Sequence, residues 1–343
     1  MSEINLCGRM VGDNHSPLVI AEIGINHEGN FQKAKQMITD AYESKAECVK
    51  FQTHIIDDEM IENDVIPENA TESIWKIMKR CSFSEDEEIE LKEYVEKLGM
   101  IFLSTPFSRS AADRLEKMKV CAYKIGSGEC NNFPLIEHIA KYKKPIILST
   151  GMNSIESISK TVDILKKYQI PYALLHVTSL YPTPYENIRL GALSQLKSTF
   201  PDSIIGLSDH SIGNYTCFAS VALGASILEK HFTSDINWPG PDIPISINPS
   251  ELKDLIVGTN AIFKSLGGKK NILDDEKITA KFAYASVVTT QEIKKGEIFT
   301  MKNIWVKRPG TGKIRPIDFE KIIDKTATCN IQKNKQLTWD MIE

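Results

Sequence analysis

Short apolar runs alternate with amphipathic stretches of helical period from Leu18 to about Ser265. This alternation is typical of a parallel sheet wrapped by helices. Eight runs can be counted, at residues 18–22, 48–52, 100–105, 122–126, 145–150, 172–176, 204–209 and 226–231. Their number and total span predict a (β/α)8 TIM barrel, because a doubly wound open sheet needs fewer strands.

Helix start signals lie between the runs. Ser84 and Glu87 form a capping box ahead of an amphipathic stretch, and Asn153 is expected to cap the helix that follows the fifth run. Asn248 and Pro249 supply an N-cap and an N1 proline for the last helix of the barrel. These signals support the strand count, because helices are expected between the strands.

Three segments fall outside the regular alternation. Residues 53–84 are too long for a simple connection, and we expect an insertion on the catalytic face. After a barrel domain at 1–265, the Gly- and Lys-rich stretch 266–281 predicts an exposed linker. Residues 282–343 hold short apolar strands separated by Gly and Pro turns, and composition alone favours a small stabilising module.

The residues toward the end of each of the eight runs, and just after it, are consistently polar. In chain order they include Glu22, Asn26, His27, Lys50, Gln52, His54, Ser104, Thr105, Lys124, Ser127, Glu129, Ser149, Thr150, His176, Thr178, Tyr181, Ser208, Asp209, His210, Glu229, Lys230 and His231. Parallel strands gather their ends on one face, where barrel enzymes carry their chemistry. Because unpaired buried polar groups cost several kcal/mol, such a ring predicts a polar ligand at its centre.

His210 and His231 follow neighbouring strands about 4.8 Å apart, so their imidazoles could converge on one ion. Two protein ligands leave positions open for water and substrate, as a Lewis acid requires. The alternative, in which each histidine hydrogen-bonds a neighbouring carboxylate, stays open at this point.

Lys50 and Lys124 would be costly inside a barrel unless they meet an anion. Hydroxyl residues after several other runs could add hydrogen bonds, which makes a phosphate the natural ligand. Internal pairing of a lysine with Glu22 or Glu129 is the alternative.

Composition excludes several classes of protein. The net charge is −4 and no basic stripe is present, so we expect no nucleic-acid partner. Residues 1–13 lack a signal-peptide or membrane-span pattern, which predicts a cytoplasmic protein without a membrane partner. The seven cysteines are widely spaced without a C-x-x-C pair, so we expect reduced thiols that fill apolar positions.

Long motifs run through almost the whole chain. They are AEIGINHEG at 21–29, VKFQTH at 49–54, STPFS at 104–108, YKIGSGECNN at 123–132, LSTGMNSIES at 148–157, YPTPYE at 181–186, GLSDHS at 206–211, EKHFT at 229–233, PGPD at 239–242, FAYASVV at 282–288 and WVKRPG at 305–310. With them the chain resembles the bacterial N-acetylneuraminate (sialic acid) synthase family, and its tail resembles the family's antifreeze-like (SAF, β-clip) domain.

The resemblance implies condensation of phosphoenolpyruvate with N-acetylmannosamine, metal-assisted and with C–O cleavage, in sialic acid biosynthesis for a capsule or lipooligosaccharide. It implies that His210 and His231 hold Mn²⁺, with Mg²⁺ or Co²⁺ as alternatives, and that Glu129 and Asp242 position its waters. The implied donor-binding residues are Lys50, Thr105, Lys124, Ser127, Ser149, Ser179 and Ser208. The implied sugar-binding residues are Glu22, Gln52, Asn69, Tyr181, Phe282 and Arg308.

The family also implies a domain-swapped homodimer, in which the antifreeze-like domain of one subunit covers the barrel of the other. Such a lid would limit premature attack of water on a reactive cation. The resemblance therefore predicts that the tail is a lid, in place of the stabilising module that composition alone favours.

Phe51 and Ser179 depart from the pattern of the sialic acid members, which carry His and Asn at these places. The related legionaminic acid synthases, which use a 6-deoxy diacetamido sugar, also have Phe and a hydroxyl residue there. N-Acetylmannosamine remains the first prediction, with the diacetamido sugar as the alternative. Two remote alternatives are a Schiff-base aldolase using Lys124 or Lys230 and a non-enzymatic carbohydrate- or ice-binding protein.

Overall fold

A computed structural model describes residues 3–343 and divides into two compact units, the first ending at Leu266 and the second spanning Gly267–Glu343. The first unit contains eight parallel strands: β3 (Leu18–Gly24), β4 (Cys48–Thr53), β5 (Ile101–Pro106), β6 (Tyr123–Ile125), β7 (Ile146–Ser149), β8 (Tyr172–Val177), β9 (Ile204–Asp209) and β10 (Ile227–His231). Their order is β5-β4-β3-β10-β9-β8-β7-β6, and β5 also packs beside β6 without a ladder between them in the described residues. The nearly closed barrel confirms the predicted fold, and each predicted run overlaps one strand.

Helices surround these strands, as the alternation predicts. They are α1 (Phe31–Glu43), α2 (Ile56–Glu59), α3 (Ile74–Cys81), α4 (Glu85–Lys97), α5 (Arg109–Lys117), α6 (Phe133–Ala140), α7 (Ile155–Lys167), α8 (Tyr185–Ile188), α9 (Gly191–Thr199), α10 (Tyr215–Ala222) and α11 (Pro249–Ser265). Short 3₁₀ turns lie at Ser127–Glu129 and Ile243–Ile245. The insertion at 53–84 contributes the two helices α2 and α3.

The predicted helix caps are largely confirmed. Ser84 and Glu87 form the capping box of α4, and Asn248 caps α11 with Pro249 in its first turn. The expected cap at Asn153 is wrong by one residue, because Ser154 accepts the hydrogen bond from the first turn of α7. Asn153 instead donates its amide N–H to the carbonyls of Ser127 and Gly151.

The barrel interior has an apolar lower layer and a polar upper layer. Side chains alternate along each strand, so every second residue points inward. The lower layer is fully apolar and includes Leu18, Ile20, Ile101, Leu103, Ile147, Leu175, Ile204 and Ile227. Two residues further along their strands, Glu22, Thr105, Ser149 and Glu229 follow inward-facing members of this layer. The polar site therefore lies toward the carboxyl ends of the strands.

An N-terminal hairpin, β1 (Glu3–Leu6) and β2 (Arg9–Gly12), packs its apolar side chains into the lower layer. Its turn residues Cys7 and Gly8 both have positive φ, as a two-residue primed hairpin turn requires. Cys7 is disulfide-bonded to Cys121, with 5.6 Å between their Cα atoms. The prediction of reduced thiols is therefore wrong for this pair, because the hairpin returns to the start of β6. The other five cysteines are free.

The second unit is small and has its own apolar core. It contains α12 (Glu276–Ala283), the antiparallel pair β11 (Ser286–Thr289) and β12 (Ile304–Lys307), and 3₁₀ turns at Pro316–Lys321 and Trp339–Met341. Val287, Phe299, Ile304 and Leu337 belong to the core. Residues from Glu276 onward are helical within the stretch predicted as a linker. Among the described residues of both units, no helix has the length and apolarity needed to cross a bilayer.

Candidate active site

Two lysines and two glutamates form a fully buried charged layer inside the barrel. Lys50 Nζ lies 2.8 Å from Glu22 Oε2 and 3.8 Å from Glu229 Oε1. Lys124 Nζ lies 3.5 Å from the same oxygen of Glu229. The layer therefore balances two positive and two negative charges, with Glu229 between the two ammonium groups.

Burial changes the proton affinities in this layer. Burial raises the pKa of Glu22 to about 7, against the opposing effect of Lys50. It lowers the pKa of Lys124 to about 8, partly offset by Glu229. Burial also acts to raise the pKa of Glu229, but Lys124 and Lys50 outweigh it and lower that pKa. Glu229 is thus the fixed anion of the layer.

The sequence motifs do not predict Glu229 as a site residue, although it lies at the end of its apolar run. Its Oε1 accepts a hydrogen bond from Ser208 Oγ at 3.1 Å, and no described residue contacts its Oε2 with a hydrogen bond. Its spacing from His231 could have identified Glu229, because residues 229 and 231 of one strand face the same side.

Hydroxyl groups surround the two lysines. Lys50 donates to Thr105 Oγ1 at 3.2 Å, and Lys124 donates to Ser149 Oγ at 2.6 Å. Beside them, Ser127 Oγ accepts the backbone N–H of Gly151 at 3.0 Å. A Cβ at Gly151 would collide with the hydroxyls of Ser127 and Ser179, so glycine permits this close approach. The result is a compact set of donors that suits an anion.

His210 and His231 lie side by side, with ring centroids 5.4 Å apart. His210 Nδ1 lies 3.0 Å from the carbonyl oxygen of Thr178, and Tyr181 stacks on the ring at 4.2 Å. His231 Nδ1 is 3.8 Å from Asp242 Oδ2 and has no hydrogen-bond partner among the described residues. Burial lowers the pKa of both imidazoles, to about 4 for His210.

The two imidazoles could hold a metal ion. A bond from His210 Nδ1–H to Thr178 O leaves Nε2 as a lone-pair donor, and such second contacts commonly fix the tautomer of a ligating histidine. The buried, partnerless nitrogen of His231 is a second donor. No group of three or more His, Cys, Asp or Glu side chains suited to a metal occurs within residues 3–343. An ion held by these two imidazoles would therefore take its remaining ligands from water and substrate.

Two adjoining cavities open over the charged layer. The inner cavity, of about 300 Å³, is lined by Glu22, Lys50, Gln52, Thr105, Phe107, Lys124, Gly126, Ser127, Gly128, Ser149, Met152, Val177, Ser179, Tyr181, Ser208, His210, Glu229 and His231. The outer cavity, of about 400 Å³, is lined by Ile25, Gln52, Pro67, Glu68, Asn69, Ile74, Ile77, Met78, Phe107, Ser179, Leu180, Tyr181, His231, Pro241 and Asp242. They share Gln52, Phe107, Ser179, Tyr181 and His231, so one ligand site could continue into the other.

The cavities bring together most of the predicted site residues. Asn69 comes from the insertion and donates to the carbonyl of Pro241 at 3.0 Å. Glu129 lines neither cavity and accepts a hydrogen bond from Asn132 at 2.6 Å. Phe282 on α12 and Arg308 after β12 are exposed in the second unit. The roles of these last three residues stay predictions.

Lys230 is the one predicted alternative nucleophile that the structure places elsewhere. It is fully buried on the outer side of the barrel wall, 2.6 Å from Asp209 Oδ2, and lines neither cavity. Its neighbours Glu229 and His231 point inward, so alternation along β10 directs Lys230 outward. The Schiff-base alternative is therefore wrong for Lys230 and is left with Lys124.

A TIM barrel with its polar site at the carboxyl ends of the strands, followed by a small β unit, defines the class of this protein. The NeuB family profile matches residues 37–271, and the SAF domain profile matches residues 284–343. The chain belongs to the NeuB family.

Named relatives match over nearly the whole chain. The N,N'-diacetyllegionaminic acid synthase of Legionella pneumophila is 33% identical over 97% of this chain and 96% of its own length. The N-acetylneuraminate-9-phosphate synthase of Homo sapiens is 32% identical over 99% and 97%. The crystal structure of N-acetylneuraminic acid (sialic acid) synthetase from Leptospira borgpetersenii, in complex with citrate, superposes with a TM-score of 0.74. It is 35% identical and covers 81% of this chain and 95% of that one.

Proposed function

We propose that this protein is a phosphoenolpyruvate-dependent sialic acid synthase that condenses the donor with N-acetylmannosamine and water, giving N-acetylneuraminic acid and phosphate. One observation carries the proposal. Paired imidazoles and paired ammonium groups line a single buried cavity at the carboxyl ends of the barrel strands. The first pair suits a cation and the second an anionic donor.

The lysines and hydroxyls of the inner cavity would hold phosphoenolpyruvate. Lys50 and Lys124 would pair with its phosphate and carboxylate, while Thr105, Ser149 and Ser208 would donate hydrogen bonds. Ser127 and Ser179 would close the side beside Gly151. Fixing both anionic groups orients the enol carbon, which lowers the entropic barrier to carbon–carbon bond formation.

The sugar would lie in the outer cavity with its aldehyde toward His231. Gln52, Asn69 and Tyr181 are positioned to hydrogen-bond its hydroxyl and amide groups, and Glu22 lies behind Gln52 at 3.2 Å. A divalent cation held by His210 and His231, Mn²⁺ first, with Mg²⁺ or Co²⁺ as alternatives, would supply Lewis acidity toward the aldehyde oxygen. Asp242 would orient water beside His231.

The chemistry balances without a redox partner. The enol carbon attacks the aldehyde carbon, which forms the carbon–carbon bond and leaves an oxocarbenium centre on the former enol. Water adds there and loses a proton, while the aldehyde oxygen becomes a hydroxyl. The tetrahedral intermediate then breaks its C–O bond to phosphate while its new hydroxyl group gives up its proton to the departing phosphate, leaving a 2-keto acid and inorganic phosphate.

A second acceptor has support of its own. The Legionella relative is named for a diacetyllegionaminic acid product, and its identity to this chain is as high as that of the human relative. Phe51 is buried between site residues, and Ser179 lines both cavities. We therefore propose 2,4-diacetamido-2,4,6-trideoxymannose as the alternative substrate, with the same chemistry.

The resemblance also leads us to propose a domain-swapped homodimer. In it, Phe282 and Arg308 of one subunit would reach the sugar bound by its partner. Glu129, with Asp242, would position the waters of the metal ion.

Phosphate release tests the proposed function. Chelated enzyme should release no phosphate from phosphoenolpyruvate with either sugar, and added Mn²⁺ should restore release. His231→Ala should abolish release while the circular dichroism spectrum stays that of the wild type, since His231 contributes no hydrogen bond through its buried Nδ1. Full activity in that variant, or after chelation, would refute the metal assignment.

Borohydride treatment with pyruvate separates the Schiff-base alternative. A covalent lysine adduct, located on Lys124 by peptide mapping, would support an aldolase. The proposed synthase forms no imine and should give no adduct.

A further inference from the structure

The Gln52 side chain lines both cavities and is contacted by a buried pair of residues, His54 and Glu59, that lines neither. His54 lies just after β4, and its Nε2 is 3.0 Å from Gln52 Oε1. Its Nδ1 is 2.8 Å from Glu59 Oε2. The side chains of His54 and Glu59 are 1% and 7% exposed, so protein encloses the pair. A buried carboxylate–imidazole–amide chain therefore connects the insertion to the wall of the site.

Further contacts fix the members of this chain. The His54 ring stacks on Phe107, which also lines both cavities, with 4.7 Å between the ring centroids. Glu59 is the last residue of α2, and its neighbour Asp58 accepts the backbone N–H of Ser110 in α5 at 2.8 Å. The stack sets the plane of the imidazole, and α2 is tied to the barrel where Glu59 meets His54.

The hydrogen-bond partners determine which way the Gln52 amide faces. Gln52 Nε2 donates to Glu22 Oε1 at 3.2 Å, and Glu22 is the carboxylate that pairs with Lys50. The amide oxygen then faces His54, so Nε2 of the imidazole must carry a proton to make the bond. Nδ1 faces the Glu59 carboxylate, which also only accepts. The imidazolium is the form that donates through both nitrogens.

A neutral His54 would break this chain. With a proton on Nδ1 alone, the lone pair of Nε2 would meet Gln52 Oε1, and two buried acceptors would face each other. Turning the amide over would relieve this contact but would bring its oxygen against the Glu22 carboxylate. The proton on His54 Nε2 therefore fixes one orientation of the amide.

Two other titratable groups lie near the pair. Burial raises the pKa of Glu129, and Glu59 adds to this rise. Burial lowers the pKa of His27 to about 3, and His54 adds to this lowering. A neutral His27 brings no charge to the pair, and Glu129 is hydrogen-bonded by Asn132 instead. The Glu59 carboxylate is therefore the charge in direct contact with His54.

We infer, on the basis of the proposed function, that His54 and Glu59 are positioning residues for the acceptor sugar, acting through Gln52. Glu59 holds His54 as a double donor, and His54 fixes the Gln52 amide. One lone pair and one N–H of this amide are engaged by His54 and Glu22, which leaves one of each for a ligand. An amide already held in its binding orientation spares the ligand the cost of ordering it.

Nuclear magnetic resonance of protein with isotope-labelled histidine tests the protonation of His54 without using activity. The chemical shifts of its two ring nitrogens, identified by their absence in His54→Gln, should both be those of protonated nitrogens at neutral pH. In Glu59→Gln, which removes the carboxylate charge, the Nε2 shift should move to the range of a nitrogen with a lone pair. A lone pair on either ring nitrogen of the wild type would overturn the inference.

Steady-state kinetics test the effect on the acceptor. His54→Phe, which keeps an aromatic ring beside Phe107, and Glu59→Gln should each raise KM for N-acetylmannosamine about tenfold, as expected for one lost hydrogen bond. KM for phosphoenolpyruvate should stay unchanged in both. His54→Gln keeps a donor that can reach the Gln52 oxygen, so its acceptor KM should lie closer to the wild-type value than that of His54→Phe. The diacetamido sugar replaces N-acetylmannosamine as the probe if it gives the higher rate.

His138→Phe is the matched control, because His138 on α6 pairs with Asp113 on α5 at 2.6 Å and lines neither cavity. It should leave both KM values unchanged. An acceptor KM unchanged in both His54→Phe and Glu59→Gln, or equal rises in the two KM values, would overturn the positioning role.

The outcomes separate this inference from the proposed function. The nitrogen shifts of the wild type are measured on the unaltered protein, so they decide the protonation of His54 even where a substituted protein fails to fold. Absence of phosphate release by the wild type with every acceptor and metal would instead overturn the synthase function, and the role of His54 toward the sugar with it.

Discussion

The pKa of Lys124 depends on the burial of its side chain. Its ammonium group is fully buried, donates to Ser149, and lies 3.5 Å from Glu229. Burial lowers its pKa to about 8, because the surrounding protein solvates the charged form less well than water. Lys50 has two carboxylate partners, and they raise its pKa despite the same burial. The two lysines of the donor site therefore differ in the pH range over which they stay charged.

We expect kcat/KM for phosphoenolpyruvate to fall as pH rises above about 8, since the free enzyme then loses the Lys124 proton that pairs with the donor. The fall should approach about tenfold per pH unit. Lys124→Arg keeps its charge over this range and should remove the fall, whatever its absolute activity. Lys50→Arg is the matched control and should retain it. The prediction fails if the Lys124→Arg profile falls at the same pH as the wild type.

At the scale of single residues, the sequence alone predicts which side chains converge on the site. Glu22, Lys50, Lys124, His210 and His231 follow apolar runs, so their convergence could be predicted from strand direction alone. Internal pairing of Lys50 with Glu22 is the sequence-based alternative to anion binding, and the structure contains that pair. Such pairings depend on the distances between strands. The spacing of residues along the chain does not give these distances.

At the scale of elements, strands β9 and β10 are joined by a buried ion pair behind the two histidines. Asp209 precedes His210, and Lys230 precedes His231, with the two charged residues directly opposite each other in the register. Lys230 Nζ lies 2.6 Å from Asp209 Oδ2 and also donates to the carbonyl of Ser211. Asp209 accepts further hydrogen bonds from Ser211 and Thr216. This network fixes the ends of the strands that carry both imidazoles.

Lys230→Met should lower the free energy of unfolding by about 3–5 kcal/mol, because it leaves the Asp209 carboxylate buried without a cation. The double variant Asp209→Asn with Lys230→Met should recover a large part of this loss. Asparagine removes the charge and keeps an acceptor for Ser211 and Thr216. Urea unfolding of the wild type, both single variants and the double variant measures the coupling. A Lys230→Met protein as stable as the wild type would contradict it.

Secondary-structure elements could be predicted where their sequence signals involve residues close together in the chain. The capping box of α4 involves residues three positions apart, and the N-cap and N1 proline of α11 are adjacent, so the sequence predicts both helix starts. The insertion at 53–84 was recognised by length alone, and the face that α3 turns to the cavity depends on contacts with Ile25, far earlier in the chain. The Asn153 cap was displaced because its side chain bonds to two carbonyls of the site loops.

At the scale of the whole molecule, the N-terminal hairpin connects distant parts of the barrel. Ile4, Leu6 and Val11 enter the lower apolar layer, and Arg9 pairs with Glu47 ahead of β4. Cys7 then joins Cys121, 114 residues away, just before β6. Since β6 packs beside β5 without a ladder among the described strands, the disulfide fastens the start of β6 at this seam of the barrel. Cysteine spacing could not predict it, because pairing depends on where the hairpin folds back.

Loss of this disulfide should destabilise the barrel. Cys121→Ser should lower the free energy of unfolding by about 2–5 kcal/mol, because the crosslink restricts the unfolded chain over a long loop. Dithiothreitol should produce a similar shift in the wild type and none in Cys121→Ser, and urea unfolding followed by circular dichroism measures both.

Cys329→Ser is the control, since Cys329 is an exposed free thiol and its loss should change nothing. A thiol titration of the denatured, unreduced protein should find the five free cysteines. Titration of all the cysteines, or equal stability with and without reductant, would show that the pair is not crosslinked in solution.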